Sequence, residues 1–167
     1  MSSRGPLALI GFMGSGKTVV GALVAQRSGT AFRDLDLMVE DEVGMAVSDI
    51  FAIHSEAVFR ATESKLLPQA LQPETVVALG GGTTIDDSNW NLVRERATTV
   101  YLEASFATIW KRIEHLADRP LALGRTREEV EALLDRRRPR YEEASHRVDA
   151  DAPLDVVASE VMKLWSA

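Results

Sequence analysis

Short strand-like segments alternate with amphipathic segments along most of the chain. Five strands are predicted, at 7–11, 31–35, 75–79, 98–102 and 147–149. Helices are predicted from apolar residues at helical spacing over 17–29, 49–54, 56–71, 86–96, 106–116, 127–144 and 154–165. The segment 117–125 has no periodicity and is predicted to be a loop. Strands that alternate with helices favour a parallel sheet covered on both faces, here within one α/β domain over residues 1–167.

The first predicted strand runs into a glycine-rich loop, GFMGSGKT, at positions 11–18. This segment fits the pattern G-x-x-x-x-G-K-[ST], and it follows an apolar strand and opens a helix, as that pattern requires. Glycines let backbone N–H groups turn toward phosphate oxygens without a clash of Cβ atoms. Lys17 can bridge the β- and γ-phosphates, and the Thr18 hydroxyl can bind Mg²⁺. The sequence therefore predicts a protein that binds a nucleoside triphosphate.

Other nucleotide-binding classes leave sequence signals that this chain lacks. It contains no N-K-x-D guanine signature and no apolar strand that ends in an aspartate followed by glycine. The strand predicted at 75–79 runs instead into Gly80, Gly81 and Gly82. A backbone without side chains can approach a ligand closely there, and its N–H groups can bind an oxygen. These features favour a small-molecule kinase over a GTPase or an ATPase motor.

Composition narrows the class of protein further. The chain has 167 residues, a net charge of −6 and an isoelectric point of about 5.1, which argues against a nucleic-acid binder. It has no cysteine, so disulfides, Cys-zinc sites and thiol catalysis are excluded. No apolar run approaches the roughly 20 residues that cross a bilayer. We expect a cytoplasmic protein with neither a nucleic-acid nor a membrane partner.

The basic residues are concentrated in one part of the chain. Residues 111–147 hold 10 of the 19 lysines and arginines. An acidic chain that gathers arginines in one segment can use them to hold a small anion. The same residues fit a solvated helix with Glu–Arg pairs at helical spacing. Both interpretations remain open at this point.

Five short motifs follow the phosphate loop in a recognisable order. They are FRDLD at 32–36, FRATE at 59–63, LGGGT at 79–83, DRPL at 118–121 and RRRPRYEEA at 136–144. With the phosphate loop they resemble the shikimate kinase family over about residues 5–165. The resemblance implies a P-loop kinase of three α/β/α layers, with a five-stranded parallel sheet of the nucleoside-monophosphate-kinase type. It also implies a lid loop at about 117–125 and acceptor-binding helices at about 36–71.

The implied reaction is the ATP-dependent phosphorylation of the shikimate 3-hydroxyl, which gives shikimate 3-phosphate and ADP in aromatic amino-acid biosynthesis. ATP is then the co-substrate, Mg²⁺ the cofactor, and the enzyme a monomer. A gluconate-type sugar-acid kinase is the enzymatic alternative, because its phosphate loop and size are similar. A nucleotide-binding regulatory domain without an acceptor site is the non-enzymatic alternative. Intact Asp36, Arg60 and lid residues speak against the regulatory domain.

The resemblance also assigns residues to the nucleotide and the metal. The nucleotide residues are Gly14, Ser15, Gly16, Lys17, Thr18, Val19, Arg112, Arg119 and Pro153. Lys17 and the lid residue Arg119 are further assigned to catalysis, and Arg112 with Pro153 to a sandwich around the adenine. Thr18 and Asp34 are assigned to Mg²⁺. The alternatives are that Asp34 caps a helix beginning near Leu37 and that Arg119 is an exposed loop arginine.

The acceptor residues implied by the resemblance are Asp36, Arg60, Gly81, Gly82 and Arg137. Asp36 would orient and deprotonate the attacking hydroxyl, and the two arginines would hold the acceptor carboxylate. An ordinary surface pair between Arg60 and Glu63 is the alternative for that arginine. Arg137 is preferred over its arginine neighbours because it starts the family's R-x-P-x-Y pattern.

Two positions depart from the family pattern. Arg140 stands where the family usually has an apolar residue, and the sequence offers no explanation for it. Ser55 stands where the family usually has glycine, just before the helix predicted from residue 56. Serine is a good N-cap residue, so we expect that helix to form without a cost to catalysis.

Overall fold

A computed structural model describes residues 3–115 and 125–167. The lid predicted at 117–125, with its candidate Arg119, lies outside the described residues except for position 125. Within the described ranges, no helix combines the length and the apolar content needed to cross a membrane.

A five-stranded sheet forms the centre of the fold. Its strands are β1 (Leu7–Ile10), β2 (Ala31–Asp34), β3 (Thr75–Ala78), β4 (Thr98–Glu103) and β5 (His146–Asp149). Their order is β2-β3-β1-β4-β5, and every neighbouring pair is parallel. In β1, Leu7 is opposite Val76 of β3 and Thr98 of β4. The predicted parallel sheet is therefore confirmed.

The central strands and the edge strands differ in burial. Every residue of β1 and β3 is buried, so these strands are continuous apolar runs, as expected where helices cover both faces. The edge strands β2 and β5 are largely exposed or half-buried and carry charged residues. Strand β5 begins at His146, one residue earlier than predicted.

Eight α-helices and two short turns surround this sheet in the described part of the chain. They are α1 (Lys17–Ser28), α2 (Leu35–Val43), α3 (Val47–Asp49), α4 (Glu56–Ala70), α5 (Asp87–Arg96), α6 (Phe106–Ile113), α7 (Arg127–Tyr141) and α8 (Leu154–Ser166). A π-helical turn (Ile50–His54) precedes α4, and a 3₁₀ turn (Thr83–Ile85) precedes α5. Helices α6 and α7 each end three residues before their predicted C-termini.

The junction between β2 and α2 also differs from its prediction. The strand ends at Asp34, and the helix begins at Leu35 instead of near Leu37. Asp36 therefore lies in the first turn of α2.

The parallel topology places the glycine-rich segments side by side. The phosphate loop follows β1, Asp34 ends β2, and the three glycines follow β3. Because β2, β3 and β1 are neighbours and parallel, their carboxyl ends meet at one edge of the sheet. Ligands of open α/β sheets bind at this edge.

Ser55 caps α4, the helix that carries Arg60, as the sequence predicts. Its backbone is extended, and its side chain accepts a hydrogen bond from the Val58 N–H at 3.2 Å. This bond satisfies one of the N–H groups that a helix leaves open at its N-terminus.

We expect Ser55→Ala to lower the free energy of unfolding by about 1 kcal/mol, and Ser55→Gly by only a few tenths, because glycine is itself an acceptable N-cap. Urea unfolding followed by circular dichroism measures both values. Ser159→Ala, within α8 and exposed, is the control and should change stability by less than about 0.5 kcal/mol. Equal effects at positions 55 and 159 would contradict the capping role.

Candidate active site

Gly14 and Gly16 are two positions where the backbone of the phosphate loop needs glycine. Gly14 and Gly16 have φ values of 77° and 97°, a conformation that other residues rarely adopt. A Cβ atom on Gly14 would also lie 2.8 Å from the Ile113 Cγ2 and 3.3 Å from the Ile109 carbonyl oxygen. Gly16 is the N-cap of α1, so the loop leads directly into a helix N-terminus that favours anions.

Two cations lie against this loop. The Lys17 ammonium donates hydrogen bonds to the Gly11 and Phe12 carbonyl oxygens, at 2.8 and 2.9 Å. The Arg112 guanidinium donates to the Gly14 carbonyl oxygen at 2.9 Å. The loop, its helix and both cations thus form a region of positive potential suited to a polyphosphate.

Asp34 caps α2, which is one of the two roles that the sequence left open. Its Oδ1 accepts hydrogen bonds from the backbone N–H groups of Asp36 and Leu37 at 3.0 and 3.3 Å, and so caps α2. Its Oδ2 accepts a hydrogen bond from the Thr18 hydroxyl at 2.6 Å. The Thr18–Asp34 pair offers the hard oxygen donors that Mg²⁺ prefers, and Mg²⁺ usually takes its other ligands from water and phosphate. The two residues therefore fit this metal.

Two carboxylates approach the backbone of Gly80. A Cβ atom on Gly80 would lie 2.8 Å from Glu63 Oε1 and 2.9 Å from Asp36 Oδ1. Any side chain at this position would displace one of the two acids. The glycine is thus required by the close packing of α2 and α4 on the loop after β3.

Arg60 and Glu63 form the i,i+3 pair considered above, but it is not an ordinary surface pair. Arg60 Nη1 donates to Glu63 Oε2 at 3.0 Å, and Glu63 is fully buried. The other carboxylate oxygen of Glu63 accepts a hydrogen bond from the Thr83 hydroxyl at 2.5 Å. A buried carboxylate needs such partners, because desolvation would otherwise make its charge costly.

The guanidinium of Arg60 also packs on the glycine loop, which is the segment 80–82 after β3. A Cβ atom on Gly82 would lie 2.5 Å from Arg60 Nη2 and 2.8 Å from its Nη1. Gly82 thus leaves the space that this guanidinium occupies. Glu63 holds the arginine there, with Glu56 at 3.5 Å as a second partner, and Thr83 in turn fixes Glu63. The sequence assigns neither Glu63 nor Thr83 to the site.

Arg137 is the arginine of its cluster that enters the interior. It is 9% exposed, and its Nη1 has no hydrogen-bond partner among the described residues. Arg136 is exposed, and Arg138 pairs with Asp135 at 2.6 Å. A buried guanidinium with an open donor is a costly feature unless an anion satisfies it. Arg137 is therefore suited to an acidic ligand.

The Tyr141 hydroxyl lies one helical turn after Arg137. It donates a hydrogen bond to the Gly81 carbonyl oxygen, and burial raises the pKa of Tyr141 to about 12. The phenol therefore stays protonated and remains a donor at neutral pH. The sequence had suggested Tyr141 only as a marker of the motif register.

One cavity of about 620 Å³ joins these groups. Thirteen of the residues assigned from the sequence line it: Gly14, Ser15, Gly16, Lys17, Thr18, Val19, Asp34, Asp36, Arg60, Gly81, Gly82, Arg112 and Arg137. Pro153 is not among the lining residues, although its neighbours Ala152 and Leu154 are. Apolar side chains that the sequence analysis did not assign complete the wall, among them Met13, Phe51 and Phe59.

A phosphate-binding loop that shares one cavity with two arginines and an aspartate is suited to moving a phosphoryl group onto a small acid. This arrangement, on a parallel sheet of this order, defines the class of P-loop small-molecule kinases. The family model described as shikimate kinase matches residues 13–165. The chain belongs to the shikimate kinase family.

Relatives of known name agree with this assignment. A shikimate kinase from Moorella thermoacetica is 39% identical, and the match covers 96% of each chain. One from Salinibacter ruber is also 39% identical, over 95% of this chain and 83% of the relative. One from Chlorobium chlorochromatii is 42% identical, over 86% and 81%.

Solved structures place the fold in the same family. A shikimate kinase from Acinetobacter baumannii in complex with shikimate superposes with a TM-score of 0.92 at 28% identity, covering 96% of this chain and 92% of the other. The enzyme from Aquifex aeolicus gives 0.84 at 31% identity, with 96% of each chain covered. A gluconokinase from Sinorhizobium meliloti, at 20% identity and a TM-score of 0.59, shares only the fold.

We expect Gly82→Ala to impair acceptor binding more than stability. The new methyl group would push the Arg60 guanidinium, the mobile end of a long side chain, out of its present place. Because misplacement of a binding group by about 1 Å can cost up to about 100-fold, we expect the KM for the acid acceptor to rise about 10- to 100-fold. Steady-state kinetics with varied acceptor measures this change.

Gly5→Ala is the control, because a Cβ atom there would meet only the Arg96 carbonyl oxygen, at an ordinary 3.5 Å. It should leave both KM values unchanged. A normal acceptor KM in Gly82→Ala would show that the present position of Arg60 is not needed.

Proposed function

We propose that this member of the shikimate kinase family transfers the γ-phosphoryl group of ATP to the 3-hydroxyl of shikimate, giving shikimate 3-phosphate and ADP. One observation carries the proposal. The phosphate loop and a pocket with Arg60, Arg137 and Asp36 share a single cavity of about 620 Å³. That pocket has the charges that a small hydroxylated carboxylic acid needs, and the shikimate kinases named above supply the identity of the acid.

The phosphate loop would bind and orient the triphosphate. Backbone N–H groups around Gly14 and Gly16 and the N-terminus of α1 face the phosphates, and Lys17 neutralises charge that develops on the transferred group. Thr18 and Asp34 would hold Mg²⁺, which shields the phosphate charge when bound. Asp34 keeps its orientation because its other oxygen is fixed by the N-terminus of α2.

The acceptor would lie between the glycine loop and the two arginines. Arg60 and Arg137 would bind its carboxylate, and the N–H groups of Gly81 and Gly82 would bind its oxygens. Asp36 would orient the attacking hydroxyl and accept its proton as the bond to phosphorus forms. Holding both substrates in one geometry supplies much of the rate enhancement in such a reaction.

The remaining assignments rest on the family alone. Arg119 would bring a cation to the transferring phosphoryl group when the lid excludes water. Arg112 and Pro153 would hold the adenine, although Arg112 here donates to the Gly14 carbonyl oxygen. We further propose a monomeric, cytoplasmic enzyme.

A coupled ADP-release assay with Mg·ATP tests the function directly. Shikimate, gluconate and no acceptor are compared at equal enzyme concentration. Turnover with shikimate alone supports the proposal. Turnover with gluconate alone would keep the kinase and replace the acceptor, and equal ADP release in all three samples would leave only a nucleotide hydrolase.

Arg137→Lys tests the acceptor site while it keeps the positive charge. Lysine lacks the planar fork that binds a carboxylate through two parallel hydrogen bonds. We expect the KM for shikimate to rise about 10- to 100-fold, equivalent to about 1.4–2.8 kcal/mol, with the KM for ATP within about twofold.

Arg136→Lys is the matched control, on the same helix and exposed. It should behave as the wild type in both KM values. A larger effect at position 136 than at position 137 would mean that the motif register is shifted by one residue.

A further inference from the structure

The last turn of α7 contacts the glycine loop and the 3₁₀ turn that follows it. The Tyr141 hydroxyl donates to the Gly81 carbonyl oxygen, and Arg140 Nη1 donates to the Thr84 carbonyl oxygen at 3.1 Å. The two carbonyl groups lie on either side of Gly82 and Thr83 in the chain. Two neighbouring residues of one helix therefore hold both ends of this short segment.

Arg140 is itself fixed by several partners. Its Nη2 forms an ion pair with Asp87, the first residue of α5, and its Nε lies 3.5 Å from Glu143 Oε1. The guanidinium carbon lies 6.0 Å from the centroid of the Trp90 ring. Trp90 Nε1 in turn donates to Glu143 Oε2 at 2.7 Å. The planar guanidinium thus connects α7, α5 and the 3₁₀ turn, which a single ammonium group is poorly shaped to do.

The same helix and the same loop carry the proposed acceptor groups. Arg137 lies three residues before Arg140 and four before Tyr141, on the helix face that meets the glycine loop. Gly82 stands against Arg60, and Thr83 is bonded to Glu63. A small shift of α7 relative to residues 81–84 would therefore change the distance between Arg137 and the groups that bind the rest of the acceptor.

We propose that Arg140, acting with the Tyr141 hydroxyl, is a positioning residue that holds residues 81–84 at a set distance from Arg137 and thereby tunes affinity for the acid acceptor. The proposal rests on the function given above. It also explains an arginine at a place where the family pattern favours an apolar side chain. Arg140 contributes through its contacts to the loop and does not line the 620 Å³ cavity.

The ion pair of Arg140 is not expected to contribute much to the stability of the fold. The side chains of Arg140 and Asp87 are 22% and 83% exposed, and ion pairs of this kind add little to stability. Loss of the guanidinium should therefore leave the fold intact while the loop gains freedom. The KM for the acceptor should then rise, and the KM for ATP should not.

The experiment compares Arg140→Leu and Arg140→Lys with Arg138→Leu. Arg138 is the matched control, because it is on the same helix and its ion pair is with Asp135, three residues earlier on that helix. In Arg140→Leu we expect the KM for shikimate to rise about tenfold, with the KM for ATP and the kcat within about twofold. Arg140→Lys should show a smaller rise, and Arg138→Leu none.

Amide hydrogen exchange of the enzyme without substrates provides a second measurement. Exchange in residues 81–85 should become faster in Arg140→Leu, while exchange in the phosphate loop stays as in the wild type. An unchanged acceptor KM with unchanged exchange would overturn the proposal. So would an equal rise in both KM values, since that would indicate general damage to the site.

Two further outcomes distinguish a failure of this proposal from a failure to fold and from a failure of the proposed function. If Arg140→Leu does not fold, Asp87→Asn removes the ion pair at an exposed position and should give a weaker change of the same kind. If the wild type does not phosphorylate shikimate, the proposed function fails. In that case amide hydrogen exchange still tests whether Arg140 holds the loop. Faster exchange at 81–85 in Arg140→Leu than in the wild type supports the contact, and unchanged exchange rejects it.

Discussion

The site depends on a backbone segment that has no side chains of its own. Gly80, Gly81 and Gly82 follow a fully buried strand, and side chains from three helices pack on them. Asp36 and Glu63 approach Gly80, and the Arg60 guanidinium fills the space that a side chain on Gly82 would need. Cβ atoms at these two positions would push apart the groups that the reaction has to hold together.

The buried charges of the pocket determine which ligand it favours. Glu63 is fully buried, and both of its carboxylate oxygens have partners, Arg60 and Thr83. Its charge is therefore balanced inside the protein and holds Arg60 in place. Arg137 is also buried, but one of its donors is open among the described residues. The protein as a whole carries a net charge of −6, but the guanidinium of Arg137 is a local positive charge with an open donor, which favours an acidic ligand.

Asp34 connects the two halves of the reaction. One oxygen caps the helix that carries Asp36, and the other accepts a hydrogen bond from the Thr18 hydroxyl at the end of the phosphate loop. A single carboxylate thus links the phosphate loop to the helix that carries Asp36. The helix cap is observed, and the metal ligand stays a prediction that is compatible with it, because a carboxylate has two oxygens that can face different partners.

Features that depend on adjacent residues could be predicted from the sequence alone. The phosphate loop, the apolar central strands, the Ser55 cap and the motif order all follow from local backbone preferences and contiguous patterns. The sheet order, the burial of Glu63 and Arg137 and the contacts of Arg140 could not. They join groups far apart in the chain, such as Glu63 to Thr83 across 20 residues and Arg140 to Thr84 across 56. Only the packing of α4 and α7 against the loop after β3 brings those groups within hydrogen-bond distance.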